Sequence, residues 1–301
     1  MAFAISGYSE ATKAGIDEAI SKEQFATIQT ARNDLLVALS FEEKFAIVVD
    51  NLNEFEGELL QATQNHILSS ESGYLLAMNV RREIDRRLIN LLSACRLYFD
   101  QIGHLVSNTF GSNSAEEKRV NDRRHDLYDH SFSYRVMEAL RNFVQHRGLP
   151  IENISFNRHR VETQGAVFWE TSVIPRLSAD VLETDAAFKK GVLDELKQRG
   201  GVLDIRPITR EYISRMFEVH RLVRELVGER AKAGIMVLDE WISQHPGALF
   251  LEAIERGERG EAIQRVSLFR EFIDHYEALK TRSQSLHLLP VLYVTSAPEK
   301  K

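Results

Sequence analysis

Between Tyr74 and Gly103 apolar side chains recur at steps of three and four: Leu76, Val80, Ile84, Leu88, Leu91, Cys95, Tyr98 and Ile102. Only a helix brings such positions to one face. A seam about eight turns long, near the 3.5-residue repeat, has to be covered by other helices. The spacing therefore predicts a helix over 74–103, with Arg81, Arg82, Asp85, Arg86 and Arg87 on its outward face and Gly103 ending it. A chain built round such a helix is mainly helical, and its economy of breakers agrees, with six prolines and 16 glycines in 301 residues.

Flanking patterns extend this reading. Short amphipathic helices are expected over about 9–21 and 23–39, and a longer one over 41–69 with Phe45, Val48, Leu52, Phe55 and Leu59 on one face. Ser114 and Glu117 fit a capping box ahead of a polar stretch, 115–128. A further helix runs from about Asp129 to Arg147, stopped by Gly148 and Pro150. After Pro150 the period changes to alternation, which predicts a β-hairpin over about 154–162 and 166–174, with Gln164-Gly165 between. Helices are expected again over 185–199, 207–243, 247–257 and 259–284, and the tail LHLLPVLYVTS as a terminal strand. The predicted architecture is mainly α: a helical bundle over 1–150, then a C-terminal α+β region over 151–301 containing the hairpin and long helices.

Composition narrows the class. Hydrophobic residues at 44% and charged residues at 27% suffice for a packed core. The single Cys95 excludes an intramolecular disulfide framework and a cysteine-rich zinc site, and its apolar setting predicts a buried thiol. No apolar run approaches the ~18 residues of a spanning helix. The N-terminus lacks a basic segment followed by a long apolar one, so a cytoplasmic protein with no membrane partner is expected. A net charge of −6 argues against a protein held to nucleic acid by bulk charge, so any such contact needs a local basic patch. There is no P-loop, GxGxxG, HExxH or GxSxG to suggest nucleotide, zinc-protease or hydrolase chemistry.

The chemically pointed segment is RNFVQH, Arg141 to His146. Asn142 and His146 are four apart and share a helix face, and Arg141 and Gln145 share a neighbouring row. Arg141 and His146 lie about 140° apart on an ideal helix, an offset that a long Arg side chain spans. These residue types suit phosphodiester cleavage in RNA. The 2′-hydroxyl loses a proton as it attacks phosphorus, the leaving 5′-oxygen gains one, and charge builds on the non-bridging oxygens. His146 suits proton transfer, Arg141 the phosphate, and Asn142 orientation of the imidazole or a phosphate oxygen. The scheme requires no metal and no cofactor. One histidine per chain is few for both acid and base, which favours a symmetric dimer with two facing copies.

RNFVQH resembles the signature of HEPN domains: Arg, then a polar residue, then His after four to six intervening positions. Over about 40–150 the context is similar too, with 74–103 as the preceding long helix and 129–147 carrying the motif near its end. The resemblance implies an up-and-down helical bundle and a metal-independent endoribonuclease acting as a homodimer, with the two motifs meeting in a cleft. It implies the catalytic roles for Arg141 and His146, and the polar role for Asn142. Toxins, phage-defence effectors and RNA-processing enzymes occur in this family, so an antitoxin or regulatory protein is an implied partner beside the RNA substrate. Some members are inactive, which keeps open a non-catalytic module that binds protein or RNA.

Other clusters have two readings. Lys118, Arg119, Arg123 and Arg124, with His125, are the local basic patch for RNA or, interleaved with acids, a salt-laced helix face. Arg158, His159 and Arg160 on the first hairpin strand are an RNA contact or a solvated sheet face. Asp100 and His104 share a helix row but lack a third metal ligand. Trp169 and Trp241 are expected as core or interface anchors.

Overall fold

The computed structural model describes residues 1–68, 73–163, 166–292 and 294. It is mainly helical, with two small antiparallel sheets. In chain order the elements are β1 (Ala2–Ser9), β2 (Ala14–Ile20), α1 (Lys22–Leu68), α2 (Tyr74–Phe110), α3 (Ala115–His130), α4 (Phe132–His146), β3 (Asn153–Thr163) and β4 (Ala166–Ser178). They continue with α5 (Ala179–Glu183), α6 (Lys190–Gln198), β5 (Val202–Asp204), α7 (Ile205–Gln244), β6 (Ala248–Arg256), β7 (Ala262–Ser267), α8 (Arg270–Arg282) and a 3-10 helix, Leu286–Val291. No helix among the described residues is long and apolar enough to cross a membrane.

The chain divides into two compact units, each drawn from separate stretches. Met1–Lys44, Asn108–Phe110 and His220–Gln284 form the first, and the rest of the chain forms the second.

The first unit is built on a sheet of order β2-β1-β6-β7. The helix expected over 9–21 is instead part of a hairpin, β1 and β2, and the helix expected over 247–257 is strand β6. The reason is a long-range pairing. β1 is central, hydrogen-bonded to β6 from Ala2↔Arg256 to Ser9↔Ala248, so short alternating runs that imitate a helix face are used as strands. Likewise 259–284 splits into β7 and α8. The backbones come close at Gly7, where an added Cβ would lie 2.4 Å from the Phe250 carbonyl oxygen. Helices cover the sheet: the Phe25 ring meets Phe3 at 5.2 Å, and Arg32 donates to the Ser267 carbonyl at 2.9 Å while lying over the Phe272 ring.

α1 runs unbroken where two helices were expected. Ser21 and Gln24 start it with a reciprocal capping box, the Gln24 N–H donating to Ser21 Oγ at 3.1 Å and the Ser21 N–H to Gln24 Oε1 at 2.7 Å. No proline interrupts it, so the ladder continues through Ser40.

The second unit contains α1 from Phe45, α2 up to Ser107, α3 to α6, the sheet β3-β4-β5, α7 up to Val219 and the 3-10 helix. The seam of α2 is buried from Ile84 to Val106, including Cys95. The helix passes through Gly103, because the apolar pattern continues at Val106. It ends at Gly111, whose φ of 95° suits glycine and whose N–H donates to the Ser107 carbonyl. A run of rings fills the core: Phe45 meets Tyr98 at 5.2 Å, Phe99 meets Tyr134 at 6.0 Å and Tyr134 meets Tyr212 at 5.3 Å.

The hairpin after Pro150 pairs from Asn153↔Arg176 to Thr163↔Ala166, and its turn, Gln164-Gly165, lies outside the described residues. The tail does not join it as a strand. Leu286–Val291 forms a 3-10 helix containing Pro290, which has no N–H for a ladder. It is held by Ser214 Oγ, which donates to the His287 carbonyl at 3.3 Å, and by Arg210, which donates to the Leu292 carbonyl at 3.2 Å. Tyr293 and 295–296 of the expected strand lie outside the described residues.

Candidate active site

The motif sits on α4. Ser131 caps this helix, its Oγ accepting from the Tyr134 N–H at 3.2 Å. Tyr134, Val136, Met137, Leu140 and Phe143 then form the buried face, at steps that repeat the helical period. This fixes the rotation of the last turn. Asn142, Gln145 and His146 point to solvent and Arg141 is half-buried. The helix stops at His146, where the Arg147 and Gly148 N–H groups both turn back to the Phe143 carbonyl, at 2.8 and 3.4 Å.

Arg141 donates from Nη1 to Gln145 Oε1 at 2.9 Å, the neighbouring-row pair expected from the spacing. Its Nε is buried, with no hydrogen-bond partner among the described residues. The His146 imidazole makes no side-chain hydrogen bond to Arg141 or Asn142 among the described residues. The three side chains thus lie within the last two turns of α4 without forming a closed cluster. That arrangement can offer a phosphate one guanidinium edge and a solvent-accessible imidazole, one of each per chain.

The basic run on α3 separates into two pairs. Lys118 and Arg119 are exposed. Arg123 forms ion pairs with Asp126, at 2.7 Å, and with Glu218. Arg124 lies over the Phe99 ring, its carbon 4.6 Å from the centroid. Two of the four are therefore engaged within the chain, and Lys118 and Arg119 are left to face a ligand. The capping box that starts α3 is present, with the Glu117 N–H donating to Ser114 Oγ at 3.1 Å, although the Glu117 carboxylate reaches the Asn113 N–H rather than that of Ser114.

On the hairpin, His159 pairs with Glu170 at 3.0 Å, and Arg160 with Glu162 at 3.3 Å. Register places Arg158, Arg160, Thr171 and Trp169 on one face of the ribbon. Trp169 is 64% exposed and is no part of the core. Asp100 is bound by Arg96 at 2.8 Å, as in a polar helix face.

Two buried charges were not foreseen. Asp85, expected on the outward face of α2, is 1% exposed. Its Oδ1 accepts the Ile151 N–H at 3.1 Å, while its Oδ2 has no partner among the described residues. Burial pushes its carboxyl up to about 6, against the opposing effects of the Ile151 hydrogen bond and the Arg81 charge.

The second is Glu42 in the first unit. It accepts from Arg224 through both oxygens at 2.7 Å and lies 3.1 Å from His220 Nε2, while Arg224 also donates to Ser283 Oγ at 2.8 Å. Burial opposes ionisation of Glu42, but the His220 and Arg224 hydrogen bonds outweigh it and hold the carboxyl at about 2. Burial lowers His220 and favours the neutral ring. Glu42 and His220 are shut off from solvent, so the cluster fastens α1, α7 and the end of α8 rather than presenting chemistry. The signal available in sequence was a lone acid within the apolar stripe of α1 and a His-Arg pair four apart on α7.

Compared with protein-family models, with curated proteins and with solved structures, the chain finds no match.

Proposed function

We propose that the protein is a metal-independent endoribonuclease of HEPN type, cleaving RNA in a composite site built from two copies of the chain. The observation that supports the reading is the C-terminal end of α4: His146 and Asn142 stand in solvent on one face, and the half-buried Arg141 lies on the neighbouring row with Gln145. In the reaction the 2′-hydroxyl oxygen bonds to phosphorus as the P–O5′ bond breaks, leaving a 2′,3′-cyclic phosphate and a 5′-hydroxyl. One His146 accepts the 2′-hydroxyl proton and the His146 of the second copy protonates the departing 5′-oxygen. Arg141 holds the non-bridging oxygens. A single imidazole per chain supports the two-copy site. On α3, Lys118 and Arg119 are exposed cations that would guide RNA.

Purified protein is expected to cleave RNA in EDTA, and His146→Ala and Arg141→Ala to lose about a hundredfold or more of that rate. Cleavage by both variants at the wild-type rate sinks the assignment. If the activity serves as a toxin or in phage defence, expressing the wild type arrests growth and His146→Ala does not.

The bond between Arg141 and Gln145 favours a second reading, in which the guanidinium is structural and the chain is a non-catalytic protein- or RNA-binding module. That reading expects binding without cleavage.

A further inference from the structure

The segment leaving the motif is tied down by two side chains of another helix. Arg81 and Asp85, one turn apart on α2, both reach the chain just after α4. Asp85 Oδ1 accepts the Ile151 N–H at 3.1 Å, and Arg81 Nη1 donates to the Glu152 carbonyl at 3.0 Å. Ile151 is itself 1% exposed, and the Glu152 N–H continues to the Arg176 carbonyl at 3.0 Å, where the hairpin begins. Between His146 and this anchor lie only Arg147, Gly148, Leu149 and Pro150.

A carboxylate buried in the packed side of α2, with one oxygen unsatisfied, costs stability that an apolar side chain would not. The Arg81 Nε is also buried without a hydrogen-bond partner among the described residues. Neither group is there for packing alone. What the two accomplish together is to fix one N–H and the next carbonyl in a stretch that no regular element holds. Arg147 is paired with Asp185 at 3.1 Å through its side chain, and the backbone beyond it needs its own tie if the last turn of α4, which carries His146, is not to fray.

We propose that Arg81 and Asp85 are positioning residues that latch the chain after α4 to α2 and so hold His146 in place. The catalytic part of this inference rests on the ribonuclease reading, whereas the latch itself does not.

Amide hydrogen exchange and RNA-cleavage kinetics on the full chain test it. In Asp85→Ala the segment 147–152 is expected to exchange about tenfold faster or more, the loss of one charge-assisted hydrogen bond, while 132–140 keeps its protection. RNA cleavage falls through kcat with KM unchanged. Asp85→Asn, which keeps a carbonyl oxygen for the Ile151 N–H, restores both. Wild-type protection of 147–152 in Asp85→Ala overturns the latch, as does an Asp85→Asn variant no better than Asp85→Ala. Should Asp85→Ala not fold, Arg81→Gln carries the same exchange test. If the wild type cleaves no RNA, the nuclease reading fails while the exchange result still decides the latch.

Discussion

Asp85 occupies a place on α2 where burial works against its charge. Its carboxyl is about 6 in the fold against an ordinary 3.8, so the folded chain holds that proton more tightly than the unfolded one. Its contribution is fully present below about pH 4 and is lost as pH rises through 6. The gap corresponds to roughly 3 kcal/mol at most. Asp85→Asn, with no proton to lose, is expected to gain stability relative to the wild type as pH rises from 4 to 7, read from urea midpoints at each pH. Parallel curves for the two proteins over that range would refute the assignment. Glu42 has the opposite sign: its depressed carboxyl contributes above about 4.5 and is lost as pH falls toward 2. At this scale the sequence was legible where the neighbours are local. The Arg141–Gln145 pair and the Ser114–Glu117 cap follow from spacing. Asp85 and Glu42 did not, because what buries and satisfies them comes from Ile151 and His220, 66 and 178 positions away.

Among elements, α2, α4, α7 and the hairpin after Pro150 were legible because hydrogen bonding within them is between near neighbours in sequence and their patterns run long. β1, β2, β6 and β7 were not. Each is short, and β1 and β6 become strands through a pairing that no local pattern encodes. α7 offers a test of how tightly elements approach. An added Cβ at Gly234 would lie 2.6 Å from the Ala31 carbonyl oxygen of α1, whereas at Gly228 it would meet nothing within 4 Å. Alanine is the better helix former by up to about 1 kcal/mol. Gly228→Ala is therefore expected to stabilise by about that much. At Gly234 the clash with backbone outweighs propensity, and Gly234→Ala is expected to cost about 1–3 kcal/mol. Thermal or urea unfolding of the two variants checks both signs, and equal effects would contradict the close approach.

For the whole molecule, the class was legible from composition and helical periodicity, whereas the division into units was not. Each unit gathers stretches from early and late in the chain, and the change of period at Pro150 marks a change of element type. The most distant tie is that of β1 to β6. A chain ending at Gln244 keeps β1 and β2 but lacks the strand that pairs with β1 from Ala2 to Ser9. Its amides over 3–8 are expected to exchange with solvent at least about a hundredfold faster than in the full chain, as paired strand amides exposed to water do. Retained protection there would show that the β1–β2 hairpin stands without β6.

That pairing also sets a clock. Ile5 leaves the ribosome 248 positions ahead of its partner Ala253. At usual rates of synthesis the first strand waits roughly 12 to 50 s for its neighbour. During that interval its apolar side chains and unpaired edge are open to any passing strand or chaperone. The earlier-made strand thus waits for the later one, and the sheet of the first unit closes only after β6 has emerged.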